Sequence, residues 1–176
     1  MQAFIFHGYG ALPQSNWFKW LKDELEKLGI KTFIPQFPTP GNHRPENWLK
    51  VLEKYPAIDE NTILIGHSLG GSFVLSVLEK HKAMASFIVG GPFGLTHREV
   101  DTMIANFSNK TFDFIAIKNN CKEFHIYYSD NDDKVPLSHG EKLAKQLGIA
   151  FTKTQGSGHF QFPSFPRLLE DVKKVK

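Results

Sequence analysis

Residues Thr62 to Gly71 read TILIGHSLGG. The apolar, β-branched first half suits a buried strand. The second half places glycines on both sides of one serine, and Gly66-His67-Ser68-Leu69-Gly70 fits G-x-S-x-G, the pattern of a serine held in a sharp strand-to-helix turn. The spacing has a steric cause. In so tight a turn, side chains two residues before or after the serine collide, and glycine at 66 and 70 removes the Cβ atoms concerned. The helix that follows presents free backbone N–H groups and its positive end beside the serine hydroxyl. The plain alternative is a glycine-rich loop that happens to hold a serine. A phosphate loop is disfavoured: Gly-x-x-x-x-Gly-Lys is absent, as is G-x-G-x-x-G after the first strand.

Around this stretch, strand-like and helix-like segments alternate. Ala3–His7, Ile30–Ile34, Thr62–Ile65, Ala85–Val89, Phe124–Tyr128 and Ala150–Lys153 read as strands. Trp17–Leu28 reads as an amphipathic helix with Trp17, Trp20, Leu21, Leu25 and Leu28 on one face. Further helices are expected at Pro45–Tyr55, Leu69–Lys80 and Ser138–Leu147, with a last one from near Ser164. Residues Gly90 to Lys122 break the rhythm, with helical stretches near Arg98–Ala105 and Thr111–Ile117. There is no repeat and no low-complexity linker, so residues 1–176 read as one domain. Alternation of this kind predicts a parallel sheet covered on both faces, with working groups beyond the carboxyl ends of the strands.

Composition narrows the function classes. The formal charge is only +3, and the one basic cluster, Lys173-Lys174-Val175-Lys176, suits the C-terminal end of a helix, so neither nucleic acid nor membrane is expected as a partner. A single cysteine, Cys121, excludes an intrachain disulfide and a cysteine-based zinc site. The opening apolar run is too short for a signal or a span, and a cytoplasmic location is expected. Sixteen phenylalanines are many, and those between strands four and five (Phe93, Phe107, Phe112 and Phe114) are candidates for a small lid or pocket lining, with core packing as the alternative.

The strand exits supply the candidate chemistry. A serine needs a base, and the base needs an orienting acid. Of eight histidines, His159 follows the last strand in GSGHF and is the candidate base. His7 and His67 belong to glycine turns and read as backbone positioners. The fifth strand exits into SDNDDKVP, where Asp130, Asp132 and Asp133 compete; Asp132 is preferred, at a turn fixed by Val135-Pro136, with Asp130 second. An EF-hand loop fails there, because its spacing would need a ligand at Lys134. The order Ser…Asp…His is that of α/β-hydrolases. The first strand exits into His7-Gly8-Tyr9-Gly10, which makes the backbone N–H groups of Tyr9 and Leu69 the candidate oxyanion donors. One such donor contributes about 3 kcal/mol elsewhere.

Taken together, HGYG, NWFKWLKDELEKLG, the later Trp48, TILIGHSLGG, YYSDNDDKVP and GSGHFQFPSF make the chain resemble the RBBP9/YdeN serine hydrolase family over nearly its whole length. That resemblance implies a minimal α/β-hydrolase fold of about six parallel strands in the order 2-1-3-4-5-6, with no large cap domain. It implies a catalytic triad at Ser68, Asp132 and His159, and it supports Asp132 because the family's acid lies four residues before the turn proline. The retinoblastoma-binding pattern of vertebrate relatives, Leu-x-Cys-x-Glu, does not carry over, since Asn119 stands where its leucine would be. The resulting expectation is a serine hydrolase acting on a small-molecule acyl ester, with amide or peptide bonds as other targets. No metal or organic cofactor is expected. The competing reading is a protein-binding or regulatory module on a hydrolase scaffold. If the phenylalanines line the pocket, short acyl or aromatic esters suit it better than charged ones.

Overall fold

Strands β1 (Gln2–Phe6), β2 (Lys31–Phe33), β3 (Thr62–His67), β4 (Ala85–Val89), β5 (Glu123–Ser129) and β6 (Thr152–Thr154) form one sheet in the order β2-β1-β3-β4-β5-β6. Every neighbouring pair is parallel. The structure is a computed structural model and describes residues 1–175. The helices are α1 (Phe18–Lys27), α2 (Pro45–Leu52), α3 (Leu69–Leu78), α4 (Asp101–Ser108), α5 (Phe114–Asn120), α6 (Leu137–Leu147) and α7 (Pro166–Val172). Among the described residues no helix is long and apolar enough to cross a membrane.

Alternation along the strands divides the core in two. Ala3, Ile5, Ile63, Ile65, Phe87 and Tyr127 face the layer of α1 and α7. Phe4, Phe6, Leu64, Ile88, Ile126 and Tyr128 face the layer that holds α2 to α6. The period-two pleat makes this division unavoidable once both faces are covered. Each large side chain so buried contributes about 1.5–3 kcal/mol. All six residues of β3 and all ten of α3 are buried, so the strand and helix that flank Ser68 are firmly held in the core.

The expected face of α1 is buried at Trp17, Leu21 and Leu25, with Trp20 packed partly against the same core, and it departs from expectation only at its end. Phe18 is buried as well, whereas Leu28 is 50% exposed because it is the C-cap and lies past the packed turns. The basic tail is partly neutralised locally: Lys173 pairs with Glu170 and Lys174 with Asp171.

Chain direction across the sheet reverses between β1 and β3, because β2 is added on one side of β1 and β3 on the other. The crevice at such a switch point is where open α/β sheets place their ligands. Here it brings the turn after β1 against the turn after β3: a Cβ on Gly8 would come within 2.8 Å of Ser68 Cβ.

Candidate active site

Ser68 is the N-cap of α3 and has φ 54° and ψ −127°, a region that non-glycine residues rarely adopt. The surrounding backbone enforces this conformation. The Ser68 N–H donates to the Val89 carbonyl at 2.8 Å, and its carbonyl accepts from Gly71 N–H at 2.8 Å. A Cβ on Gly66 would lie 2.3 Å from the Gly70 carbonyl oxygen, and one on Gly70 would lie 2.1 Å from that of Phe6. Glycine at these two positions is therefore a condition of the turn.

The structure brings Ser68, His159 and Asp132 together in one hydrogen-bonded chain. The Ser68 Oγ lies 2.9 Å from His159 Nε2, and His159 Nδ1 lies 2.8 Å from Asp132 Oδ2. Asp132 Oδ1 also accepts from the backbone N–H groups of Lys134 and Val135, at 2.8 and 2.9 Å. Burial alone would raise the Asp132 pKa, but the His159 hydrogen bond, its charge and these two N–H donors outweigh burial and hold it below the ordinary value. An ionised Asp132 fixes the proton of His159 on Nδ1, which leaves Nε2 free to accept from the Ser68 hydroxyl.

Asp130, the second candidate acid, has a different task. Its Oδ1 accepts from Gly156 N–H at 2.9 Å, while Asn131 Oδ1 accepts from Gly158 N–H at 2.8 Å and Ser129 Oγ from Ser157 N–H at 3.0 Å. The turn after β5 thus holds the loop that carries His159. From the other side, Trp17 Nε1–H donates to the Phe160 carbonyl at 3.1 Å and His67 Nε2–H to the His159 carbonyl at 2.8 Å. In the sequence Trp17 reads as an ordinary core residue, and nothing in its spacing signals this contact across 143 positions.

Buried histidines also hold backbone elsewhere around the cleft. His7 Nε2 accepts from Phe37 N–H while its Nδ1–H donates to the Gly8 carbonyl. His139 Nδ1 accepts from Phe93 N–H. Both bonds to N–H groups require neutral imidazole. Burial lowers the pKa of His7 and His139, and it lowers that of His67 to about 3, with the nearby His159 acting in the same direction.

These shifts set the expected acid response. Each of the three histidines has a folded pKa below the ordinary value of about 6.5, so the unfolded chain binds more protons in the interval between. Stability is complete above about pH 6.5 and declines as pH falls towards the folded values. Between about pH 6.5 and 5, His67 alone removes about 2 kcal/mol. The urea midpoint should therefore be clearly lower at pH 5 than at pH 7.5, and His67→Gln should flatten the difference. A midpoint unchanged across that range would contradict the neutral, buried state of these rings.

Ser68 and His159 open onto a cleft of about 250 Å³, bordered by Tyr9 and Leu69. Leu69 is the first residue of α3, so its N–H has no partner within the helix. Tyr9 follows Gly8, where an added Cβ would lie 2.8 Å from Ser68 Cβ. Neither Tyr9 N–H nor Leu69 N–H donates a hydrogen bond among the described residues, and both residues border the cleft that Ser68 faces.

The expected aromatic lining is corrected. Phe93, Phe107 and Phe112 do not border the cleft. Phe107 is fully buried against Trp48, with ring centroids 4.7 Å apart. Phe93, Phe112 and Phe114 pack on one another at 5.8 to 6.1 Å. The cause is the seating of α4 against α3: Phe107 points into the core, while Ile104, one turn earlier, reaches the cleft. The residues that do border it from this segment are Pro92, Thr96, Arg98, Val100 and Ile104.

A parallel six-stranded sheet with a serine turn after β3 and a histidine loop after β6 defines an α/β-hydrolase fold. The chain belongs to the serine hydrolase family, whose model matches residues 3–173. It is 34% identical to YdeN of Bacillus subtilis over 163 residues, which is 90% of this chain and 85% of that one. It is 28% identical to the serine hydrolase RBBP9 of Rattus norvegicus over 170 residues, covering 96% and 91%. The crystal structure of the Bacillus subtilis ydeN gene product superimposes with a TM-score of 0.89 at 32% identity, over 99% of this chain and 97% of that one. Est1E from Butyrivibrio proteoclasticus, at 15% identity and a TM-score of 0.73 over 98% of this chain and 86% of that one, shares the fold.

Proposed function

We propose that the chain hydrolyses carboxylic esters of small acyl groups through an acyl-enzyme on Ser68. The observation that carries this reading is the continuous chain from Ser68 Oγ through His159 to Asp132 at the edge of the cleft. His159 Nε2 takes the hydroxyl proton as Ser68 Oγ bonds to the acyl carbon. The backbone N–H groups of Tyr9 and Leu69 receive the developing oxyanion. Asp132 holds the imidazole in place and stabilises its charged form. When the tetrahedral intermediate collapses, the bond to the leaving oxygen breaks and His159 passes its proton to the departing alcohol. Water then loses a proton to His159, attacks the acyl carbon and releases the acid, which restores the serine. The reaction balances as ester plus water giving acid plus alcohol. We also assign the chain to the cytoplasm, where a lone thiol such as Cys121 stays reduced; cell fractionation tests that assignment.

A fluorophosphonate probe tests the nucleophile directly. The wild type should be labelled, and Ser68→Ala should not be. Labelling that persists in Ser68→Ala would move the nucleophile to another residue. Release of p-nitrophenol from p-nitrophenyl acetate, set against hydrolysis of the matching anilide, separates ester from amide preference.

A further inference from the structure

The border of the cleft carries two cations, Arg98 and Lys134, and no carboxylate. They come from separate segments, Arg98 from the loop that leads into α4 and Lys134 from the turn after β5. Among the described residues neither side chain is in an ion pair. The Lys134 ammonium donates to Gln161 Oε1 at 2.9 Å, a neutral acceptor that orients the charge without cancelling it. The nearby acids are committed elsewhere or lie outside the cleft. Asp132 is held by His159 and two backbone N–H groups. Asp101 accepts from Thr96, His97 and Arg98 N–H groups and from the Thr96 hydroxyl. Glu99 and Asp133 are exposed and do not border the cleft. The remaining polar border is neutral, with Asn16, Thr96 and Gln161.

Two unpaired cations and no anion in one small cleft leave a charge imbalance that a bound anion would correct. We propose that the preferred substrate carries, besides the bond to be cleaved, an ionised carboxylate or phosphate that pairs with Lys134 and Arg98. This rests on the hydrolase reading above and reverses the sequence-based preference for uncharged esters, which assumed phenylalanines in the lining. Lys134 is the stronger partner, because it is half-buried and already oriented. Arg98 is exposed and more fully screened by solvent.

The test compares esters matched in length and differing in charge. Mono-p-nitrophenyl glutarate against p-nitrophenyl pentanoate places the anion on the acyl side. Acetoxybenzoate against its methyl ester places it on the leaving group, and the arm that responds identifies the side. In one arm, kcat/KM for the anionic ester should exceed that for the neutral one by about tenfold at low ionic strength, and the excess should shrink in about 0.5 M salt. Lys134→Gln should reduce the anionic-to-neutral ratio by about tenfold and Arg98→Gln by about threefold. Lys134→Glu should invert it. Free glutarate, and not pentanamide, should slow fluorophosphonate labelling of Ser68, a readout that needs no turnover. Equal turnover of both members in both arms, with Ser68 labelled normally and glutarate without effect, would overturn this proposal alone. Failure of Ser68 to label at all would remove the hydrolase reading and this inference with it.

Discussion

Replacing Ser68 with alanine should lower kcat/KM for p-nitrophenyl esters by roughly 10⁴-fold or more, the scale on which triad nucleophiles act. The variant should otherwise fold as the wild type does. An alanine side chain keeps the Cβ, so the strained φ of 54° remains and stability should change little. Ser68→Gly separates the two effects. A non-glycine residue in that region costs about 1–3 kcal/mol, whereas glycine adopts it freely at an unfolded-state cost of about 1 kcal/mol. The glycine variant should thus be equally inactive yet more stable by about 1 kcal/mol, a rise in Tm of about 2–4 °C. The strain is a cost of presenting the hydroxyl at the cleft, held by the buried strand and helix on either side. Steady-state kinetics and thermal melts of the three proteins check both halves. An active Ser68→Gly variant would remove Ser68 from the chemistry.

Gly70→Ala should be the most disruptive single-methyl change among these glycines. The new Cβ would stand 2.1 Å from the Phe6 carbonyl oxygen and 2.8 Å from that of His7. Both obstacles are backbone of the central sheet and its exit, so neither can rotate away. Relief requires α3 to move off β1, which would open the core around Phe6 and Phe73. A loss of about 4 kcal/mol or more follows, which lowers Tm by roughly 10 °C or prevents folding. Gly148→Ala is the control. Gly148 caps α6 with φ 76° and a Cβ there meets nothing within 4 Å, so only the backbone preference is lost, about 1 kcal/mol. Chemical denaturation of both variants measures the contrast. Equal losses at the two sites would mean that the approach of α3 to β1 is looser than described.

The strand-and-helix alternation was legible because both periodicities are strong. The serine turn was legible because steric exclusion writes glycine into the chain at fixed spacing. Asp132 was harder. Asp130, Asp132 and Asp133 share one turn; its Val135-Pro136 end favoured Asp132, and the family resemblance supported that choice. The structure supplies a local reason for the division of labour: Asp130 is occupied by the Gly156 N–H, while Asp132 faces His159 and accepts from the two N–H groups that follow it. The phenylalanines misled because an aromatic side chain suits a core and a pocket equally well. Only the seating of α4 on α3 sends Phe107 to Trp48 and leaves Ile104 at the cleft.

The sequence alone determined the class of fold, through hydrophobic periodicity, and the place of the sharp serine turn, through backbone sterics. The periodicity and the clash at Gly66 act between residues near one another in the chain, whereas the clash at Gly70 is with Phe6, a strand away. The tertiary structure alone decided what borders the cleft. Arg98 and Lys134 stand far apart in the chain, and their charges share one space because β4 and β5 lie side by side and end on the same edge of the sheet. The same holds for Trp17 and His67, whose hydrogen bonds to the His159 loop depend on distant segments being packed together. Charge balance and hydrogen-bond reach are properties of distance in space, and no local pattern of residues encodes them.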